Sequence, residues 1–334
     1  EQAFAAAVAE EQHLAAHQVK VVVDLLESGA SIPFIARYRK EATGSLDEVA
    51  ITAIRDRMHQ LHELSARKAA VLSSLEKNGH LTDELRQRLA AAETLSQVED
   101  IYLPYRPKRR TKGVMAREKG LAPLAEEIFK QAGLDVRTAA ESFVVPEKGV
   151  ASVDEALAGA RDIIAESINE DEAARARLRN FFFSKATVQS RVVPGMEDKG
   201  AKFSDYFDWQ EPAGTIPSHR FLAIRRGEAE DVLCMRMLPD PDAAVAILEK
   251  MFVKGAGEDA EQVRLAAADA YKRLLSNAME TETRVQAKKR ADAEAISVFA
   301  ENLRQVLLAA PLGAKRVMGI DPGYRTGCKV ICLD

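Results

Sequence analysis

The sequence predicts a mainly α protein: a multi-helical N-terminal region, a small β-hairpin insert, one long central helix and a terminal β-hairpin. Three observations carry that expectation. Helix-capping and helix-stopping signals recur throughout residues 1–186. The 53 residues Glu258 to Ala310 contain neither Gly nor Pro. Strand-like apolar text is confined to short stretches, around 187–193, 221–237 and 317–333.

A chain of 334 residues exceeds one ordinary core, so two or three domains are expected. The segmentation read from composition is 1–186, 187–313 and 314–334. Hydrophobic residues at 47% and charged residues at 29% describe a soluble globular protein. The net charge of −4 is unlike that of a dedicated duplex binder, which is basic overall. Cys234, Cys328 and Cys332 lie outside metal-ligand spacing, which argues for a reducing, cytoplasmic setting without structural disulfides. The sequence holds no apolar run of membrane-spanning length, and its alanine-rich opening is acidic, unlike a signal peptide.

Taken in order, residues 5–28 read as one helix, with Val19, Val22, Val23 and Leu26 at helical spacing. Gly29 closes it, and Pro33 suits the first turn of the next. Helix, glycine turn, helix is the outline of a helix-turn-helix. Arg37, Arg39 and Lys40 are its candidate nucleic-acid contacts; their alternative role is ion pairing with Glu41, Asp47 and Glu48. Ser45 with Glu48 has capping-box spacing ahead of a helix over 46–77, which Asn78-Gly79 ends. Thr82 starts another helix, to about Ala92, and Ser96 with Glu99 suggests a second capping box.

The next stretch, IYLPYRPKRRTKG over 101–113, is the most unusual in the chain. Five of the seven residues from Arg106 to Lys112 are basic: Arg106, Lys108, Arg109, Arg110 and Lys112. Pro104 and Pro107 fix φ and push Leu103 and Arg106 toward extended backbone, giving a stiff non-helical loop. Cations held at fixed spacing suit a row of phosphates, and Tyr105 could stack on a base. The alternative is that Tyr102 and Tyr105 pack inside while the cations are merely solvated. From Ile101 to Gly120 there are seven Lys or Arg against one Glu, so an anionic partner would meet a local patch.

Beyond it, Met115 to Lys119 reads as a short helix stopped by Gly120, and Pro123 opens the next. Ser152 with Glu155 caps a helix to Ile168, and another runs through Phe183, whose triple phenylalanine reads as a buried helix end. Residues 221–237 read as two strands, the β-hairpin insert. The central helix, 258–310, carries apolar stripes at both ends: Val263, Ala267, Tyr271, Leu274 and Leu275, then Ile296, Phe299, Leu303, Val306 and Leu307. Both ends are therefore expected to be buried around a polar middle, with a break near Ser276-Asn277 as the alternative. Arg284, Lys288, Lys289 and Arg290 in that middle interleave with Glu280, Glu282, Asp292 and Glu294, which favours a solvated face over phosphate contact. Val317–Ile320 and Lys329–Leu333 read as strands around a glycine-bearing turn. Asp321 at the tip of a first strand is how the ribonuclease H-like fold opens, where carboxylates from several strands hold metal.

Three motifs, PFIARYRKE (33–41), LPYRPKRRTKG (103–113) and GIDPGYRTG (319–327), resemble in order and separation the Tex family of bacterial transcription accessory proteins. The resemblance covers the whole chain and corresponds to roughly the N-terminal two-fifths of the family's layout. It implies that 314–334 begins a ribonuclease H-like domain of the YqgF type, cut two strands in. Helix-hairpin-helix and OB-type RNA-binding domains follow in that layout. It implies a cytoplasmic nucleic-acid-binding factor associated with transcription, without evident nuclease activity and without a cofactor. The expected partner is RNA or DNA, met through phosphates by a monomer, with no membrane role. An alternative is a scaffold that docks RNA polymerase or the ribosome. A further one is a metal-dependent nuclease using Asp321. His13 with His17 and His59 with His62 share helix faces, but neither pair has a third ligand in sequence.

Overall fold

The computed structural model describes residues 2–107, 110–323 and 327–334. It is 67% helical with 9% strand, so the chain is mainly α. Its contacts divide into two compact units. The first comprises residues up to Leu178 plus Val245–Leu275; the second comprises Arg179–Ala244 and Ser276–Asp334.

In the first unit, α1 (Gln2–Glu11), α2 (Ala16–Glu27), α3 (Ile32–Tyr38), α4 (Lys40–Thr43) and the front of α5 (Glu48–Lys77) surround one core. Val8, Val19, Val22, Ile35, Ile51 and Ile54 are fully buried there. The far half of α5 packs with α6 (Asp83–Ala91) and α7 (Leu95–Tyr102) around Val71, Leu75, Leu89 and Val98. The remaining helices are α8 (Lys112–Glu118), α9 (Ala122–Lys130), α10 (Val136–Glu141), α11 (Val153–Asn169) and the start of α12 (Glu172–Lys185). With α15 (Glu258–Asp269), helices α8, α9 and α10 pack on α11, which buries eight of its residues. Glycine at 159 permits this: a Cβ there would stand 2.3 Å from Leu121 Cδ1. Asp259, at the second position of α15, accepts the N–H groups of Gly133 and Leu134 at 2.8 and 3.1 Å and thereby fastens the α9–α10 turn.

The second unit holds an antiparallel sheet in the order β2-β1-β3, formed by β1 (Thr187–Val192), β2 (Asp208–Pro212) and β3 (Leu233–Leu238). Along β3, Leu233, Met235 and Met237 are buried while Cys234 and Arg236 are not, the period of a strand with one covered face. The covering helices are α13 (Ser218–Ala229) and α16 (Ser276–Leu307). Fully burying Phe221, Ile224 or Met237 contributes roughly 1.5–3 kcal/mol each. The chain also contains α14 (Pro241–Phe252) and a terminal hairpin of β4 (Val317–Gly323) with β5 (Gly327–Leu333).

Several expectations change. Residues 221–237 are not a hairpin: the first part lies in α13, and only β3 is a strand, paired to β1. Phe221 and Ile224, spaced i and i+3, are buried on one helix face, and Asp231 at φ 55° turns the chain into β3. The helix over 5–28 is two helices, broken at His13, whose φ is 55°. Asp47, not Ser45, caps α5, accepting from Ala50 N at 2.8 Å. Thr94 with Gln97, not Ser96 with Glu99, forms the capping box of α7. The central helix runs from Glu258 to Leu307 through a π-helical stretch, Ala270–Leu275, just ahead of the expected break. Its first stripe is buried as expected, with Val263, Ala267, Tyr271 and Leu275 in the interior, but its middle and far end depart from the expectation. The polar middle buries Met279, Glu280, Thr283, Ala287 and Ala291, whereas Ile296, Phe299, Leu303, Val306 and Leu307 are exposed. Small side chains in the middle admit close packing that apolar count alone does not register. Of the three phenylalanines ending α12, only Phe182 is fully buried.

Candidate nucleic-acid interface

The cationic stretch joins α7 to α8. Thr94 starts α7 by accepting the N–H of Gln97, and after Tyr102 the chain tightens into a 3₁₀ turn, Leu103–Tyr105. Leu103 is helical (φ −53°, ψ −43°), not extended, because its N–H still closes the end of α7 on Glu99 O. Only Arg106 takes the extended backbone its following proline favours (φ −66°, ψ 134°). Thr111 then caps α8 through Val114 N, leaving Lys112 as the first helical residue.

The tyrosines mount this connection. Tyr102 is buried, its hydroxyl 2.8 Å from Ser74 Oγ and its ring 5.8 Å from the Arg67 guanidinium. Arg67 is held by both oxygens of Glu99, which raises its pKa above the ordinary arginine value. Tyr105 is half-buried with its ring centroid 5.7 Å from that of His80. Both rings therefore serve first as anchors.

The other end is fixed by a residue that the sequence did not single out. Glu166 of α11 is buried, and one of its oxygens accepts the N–H of Gly113 at 3.1 Å. A Cβ at 113 would lie 2.4 Å from that carboxylate, so the last letter of the motif must be glycine for α8 to seat on α11. No short-range sequence signal points to a partner 53 residues away.

Arg106, Arg110 and Lys112 are exposed on this mount; Lys108 and Arg109 lie outside the described residues. Arg110 stands 3.6 Å from Glu118, an exposed pair worth about 0–1 kcal/mol. Lys112 faces Asp162. Burial pushes the Asp162 carboxyl above its ordinary value, against the pull of Arg273 and Lys112. Arg106 has no ion-pair partner among the described residues.

Arg37, Arg39 and Lys40 sit on a separate part of the first unit, at α3 and α4, and are exposed. Arg37 reaches Glu48 at 3.6 Å, and the Arg39 guanidinium lies 5.1 Å above the Phe34 ring. Phe34 and Tyr38, four apart on α3, are also exposed, with ring centroids 5.4 Å apart. The helix after the glycine turn has only seven residues, short for a reader of a groove.

Asp321 is exposed on β4, opposite Lys329. His59 pairs with Glu63 at 3.7 Å, and His62 meets the Phe4 ring edge-on. Among the described residues no group of three or more His, Cys, Asp or Glu is placed to hold a metal ion. Nor is any described helix long and apolar enough to cross a membrane.

Helices packed around α11, with exposed cations on the α7–α8 connection, define a helical scaffold in the first unit. The chain belongs to the Tex family. Residues 2–76 match the Tex-like protein N-terminal domain, and residues 131–299 match the Tex central region-like model. The chain is 42% identical over 333 residues to Protein tex of Bordetella pertussis, covering 96% of this chain and 42% of that protein. It is 40% identical over 331 residues to transcriptional accessory protein Tex of Neisseria gonorrhoeae, covering 95% and 42% respectively. Human S1 RNA-binding domain-containing protein 1 is 26% identical over 330 residues, covering 93% of this chain and 33% of that protein. The chain thus spans less than half the length of these relatives.

Proposed function

We infer that this chain is the helical scaffold of a cytoplasmic, monomeric RNA-binding transcription factor. It contributes phosphate contacts through Arg106, Lys108, Arg109, Arg110 and Lys112 and no catalysis of its own. The observation that carries the inference is the mounting: three exposed cations on backbone pinned at one end by Tyr102 and Ser74 and at the other by Glu166. Such pre-organisation lowers the ordering cost of binding. The relative whose name includes an S1 RNA-binding domain favours RNA over DNA. Residues 314–334 are then the first hairpin of a YqgF-type ribonuclease H-like domain. The α2–α3 pair, through Arg37, Arg39 and Lys40, adds a smaller contribution.

The test is fluorescence anisotropy with single-stranded RNA and DNA across a salt series. Each phosphate contact steepens the decline of log K with log salt by about 0.7 for a single strand. Replacing all five loop cations by Ala is expected to weaken binding and to flatten that decline by up to about 3 to 4. Unchanged affinity and slope would remove the loop from the interface. Incubation with Mg²⁺ or Mn²⁺ and labelled strands is expected to give no cleavage.

A second role, docking a protein such as RNA polymerase or the ribosome, is favoured by one observation. The end of α16 exposes Ile296, Phe299, Leu303, Val306 and Leu307 along one stripe. Co-purification that survives nuclease treatment and is lost on Phe299→Glu would establish it.

A further inference from the structure

The second unit contains a cationic cleft whose charges are not balanced. It has a volume of about 570 Å³ and is lined by α16 residues from Asn277 to Asp292 together with Arg225 of α13. Arg284, Lys288 and Lys289 add to its positive charge. The partners show the imbalance. Glu228 is one carboxylate shared by two guanidiniums: it accepts hydrogen bonds from Arg284 Nη2 on both oxygens, at 2.5 and 2.6 Å, and another from Arg225 Nη1. Glu280 is engaged elsewhere, by Arg236 at 3.1 Å and by the N–H of Met237 at 2.8 Å. Lys288 is matched by Asp292. Lys289 is exposed with no acceptor among the described residues, and Arg225 Nε is buried with none.

An arginine with a buried, unused Nε–H is costly, because that donor has lost water and gained nothing in exchange. Two guanidiniums on one carboxylate leave one positive charge uncompensated. A tetrahedral oxyanion offsets the uncompensated charge, since it brings negative charge and several acceptors within reach of the guanidinium and ammonium donors that line the cleft. The cleft's volume lies within the range of small-molecule sites, about 300–1,000 Å³, and exceeds the need of a bare ion. Asn277 and Thr281 provide neutral polar groups and Val285, half exposed, an apolar surface, all three spaced four apart along α16. We propose that the Arg225–Arg284–Lys289 cleft binds a phosphate group carried on a nucleotide unit, whether free or within a nucleic-acid chain.

The site is distinct from the α7–α8 connection and stands or falls separately from it. Isothermal titration of the full chain with inorganic phosphate, a 5′-mononucleotide and a 5′-phosphorylated oligonucleotide tests it, each at matched ionic strength against chloride. The mononucleotide is expected to bind more tightly than inorganic phosphate. Lys289→Glu, on an exposed side chain, is expected to weaken it about tenfold or more, and Arg225→Gln by a similar factor. Circular dichroism melts keep folding in view; if Arg225→Gln melts early, Lys289→Glu decides. If Lys289→Glu weakens the oligonucleotide and the mononucleotide alike, the cleft takes chain phosphates. If it weakens the mononucleotide alone, the cleft takes free nucleotides. Binding no better than chloride, or unchanged in the folded Lys289→Glu variant, overturns the site.

Discussion

Gly113 and Glu166 make a contact in which backbone and carboxylate occupy space that any side chain at 113 would need. Gly113→Ala is therefore expected to destabilise the protein by about 1–3 kcal/mol, the usual cost of forcing atoms into a packed interior. Urea denaturation checks this through a lower midpoint. Asp259 is a second residue with a definite signature. Burial raises its carboxyl pKa, but hydrogen bonds from Leu134, Gly133 and Ala260 N–H groups more than offset that, so the folded value lies below the ordinary one. A group depressed in the folded state contributes stability above its unfolded pKa and loses it as pH falls through the folded value. The stability difference between wild type and Asp259→Asn should therefore be full at neutral pH and shrink below about pH 4. Denaturation midpoints from pH 7 to pH 3 measure it, and a difference independent of pH would contradict the assignment.

At the scale of elements, the sheet of the second unit depends on how closely α13 approaches β3. Gly227 sets that distance, since a Cβ there would stand 2.5 Å from Leu233 Cδ1. Gly227→Ala is expected to cost about 1–3 kcal/mol, read as an earlier melt. The exposed end of α16 should behave oppositely. Phe299 is 67% exposed, so Phe299→Glu should change stability within about 0.5 kcal/mol, read as an unchanged melting temperature. These elements also mark what the sequence conveyed. Local chemistry placed the ends of α5, α6 and α11, because Asn78-Gly79, Thr82 and Ser152 act within a few residues. The hairpin over 221–237 was misread because an apolar run of mixed period fits helix or strand until its partners are known. Nothing short-range announces that β3 pairs with β1 some 45 residues earlier.

At the scale of the whole molecule, motifs were more legible than mechanism. The three motifs pointed to the family that the comparisons show, and the mainly α class followed from capping and helix length. The site was half legible. Its cations were visible as a run, but the roles of the tyrosines as anchors and of Glu166 as a clamp depend on packing among α5, α7, α8 and α11. The polar middle of α16 misled for a related reason. Arg290 donates to the Ala213 carbonyl at 2.7 Å, and Arg284 donates to that of Met235 at 3.0 Å. Side chains that look solvated in sequence can close backbone groups at a sheet's margin.

The Gly113–Glu166 contact has a consequence for how the family varies. A residue larger than glycine at 113 and a full-length glutamate at 166 compete for one volume, and a shorter side chain at 166 would release it. Across related sequences the two positions should therefore change together: where 113 gains a methyl group, 166 should be Asp, Ser or Ala. The final glycine of the basic motif is thus one half of a coupled pair, and its other half lies outside the motif altogether.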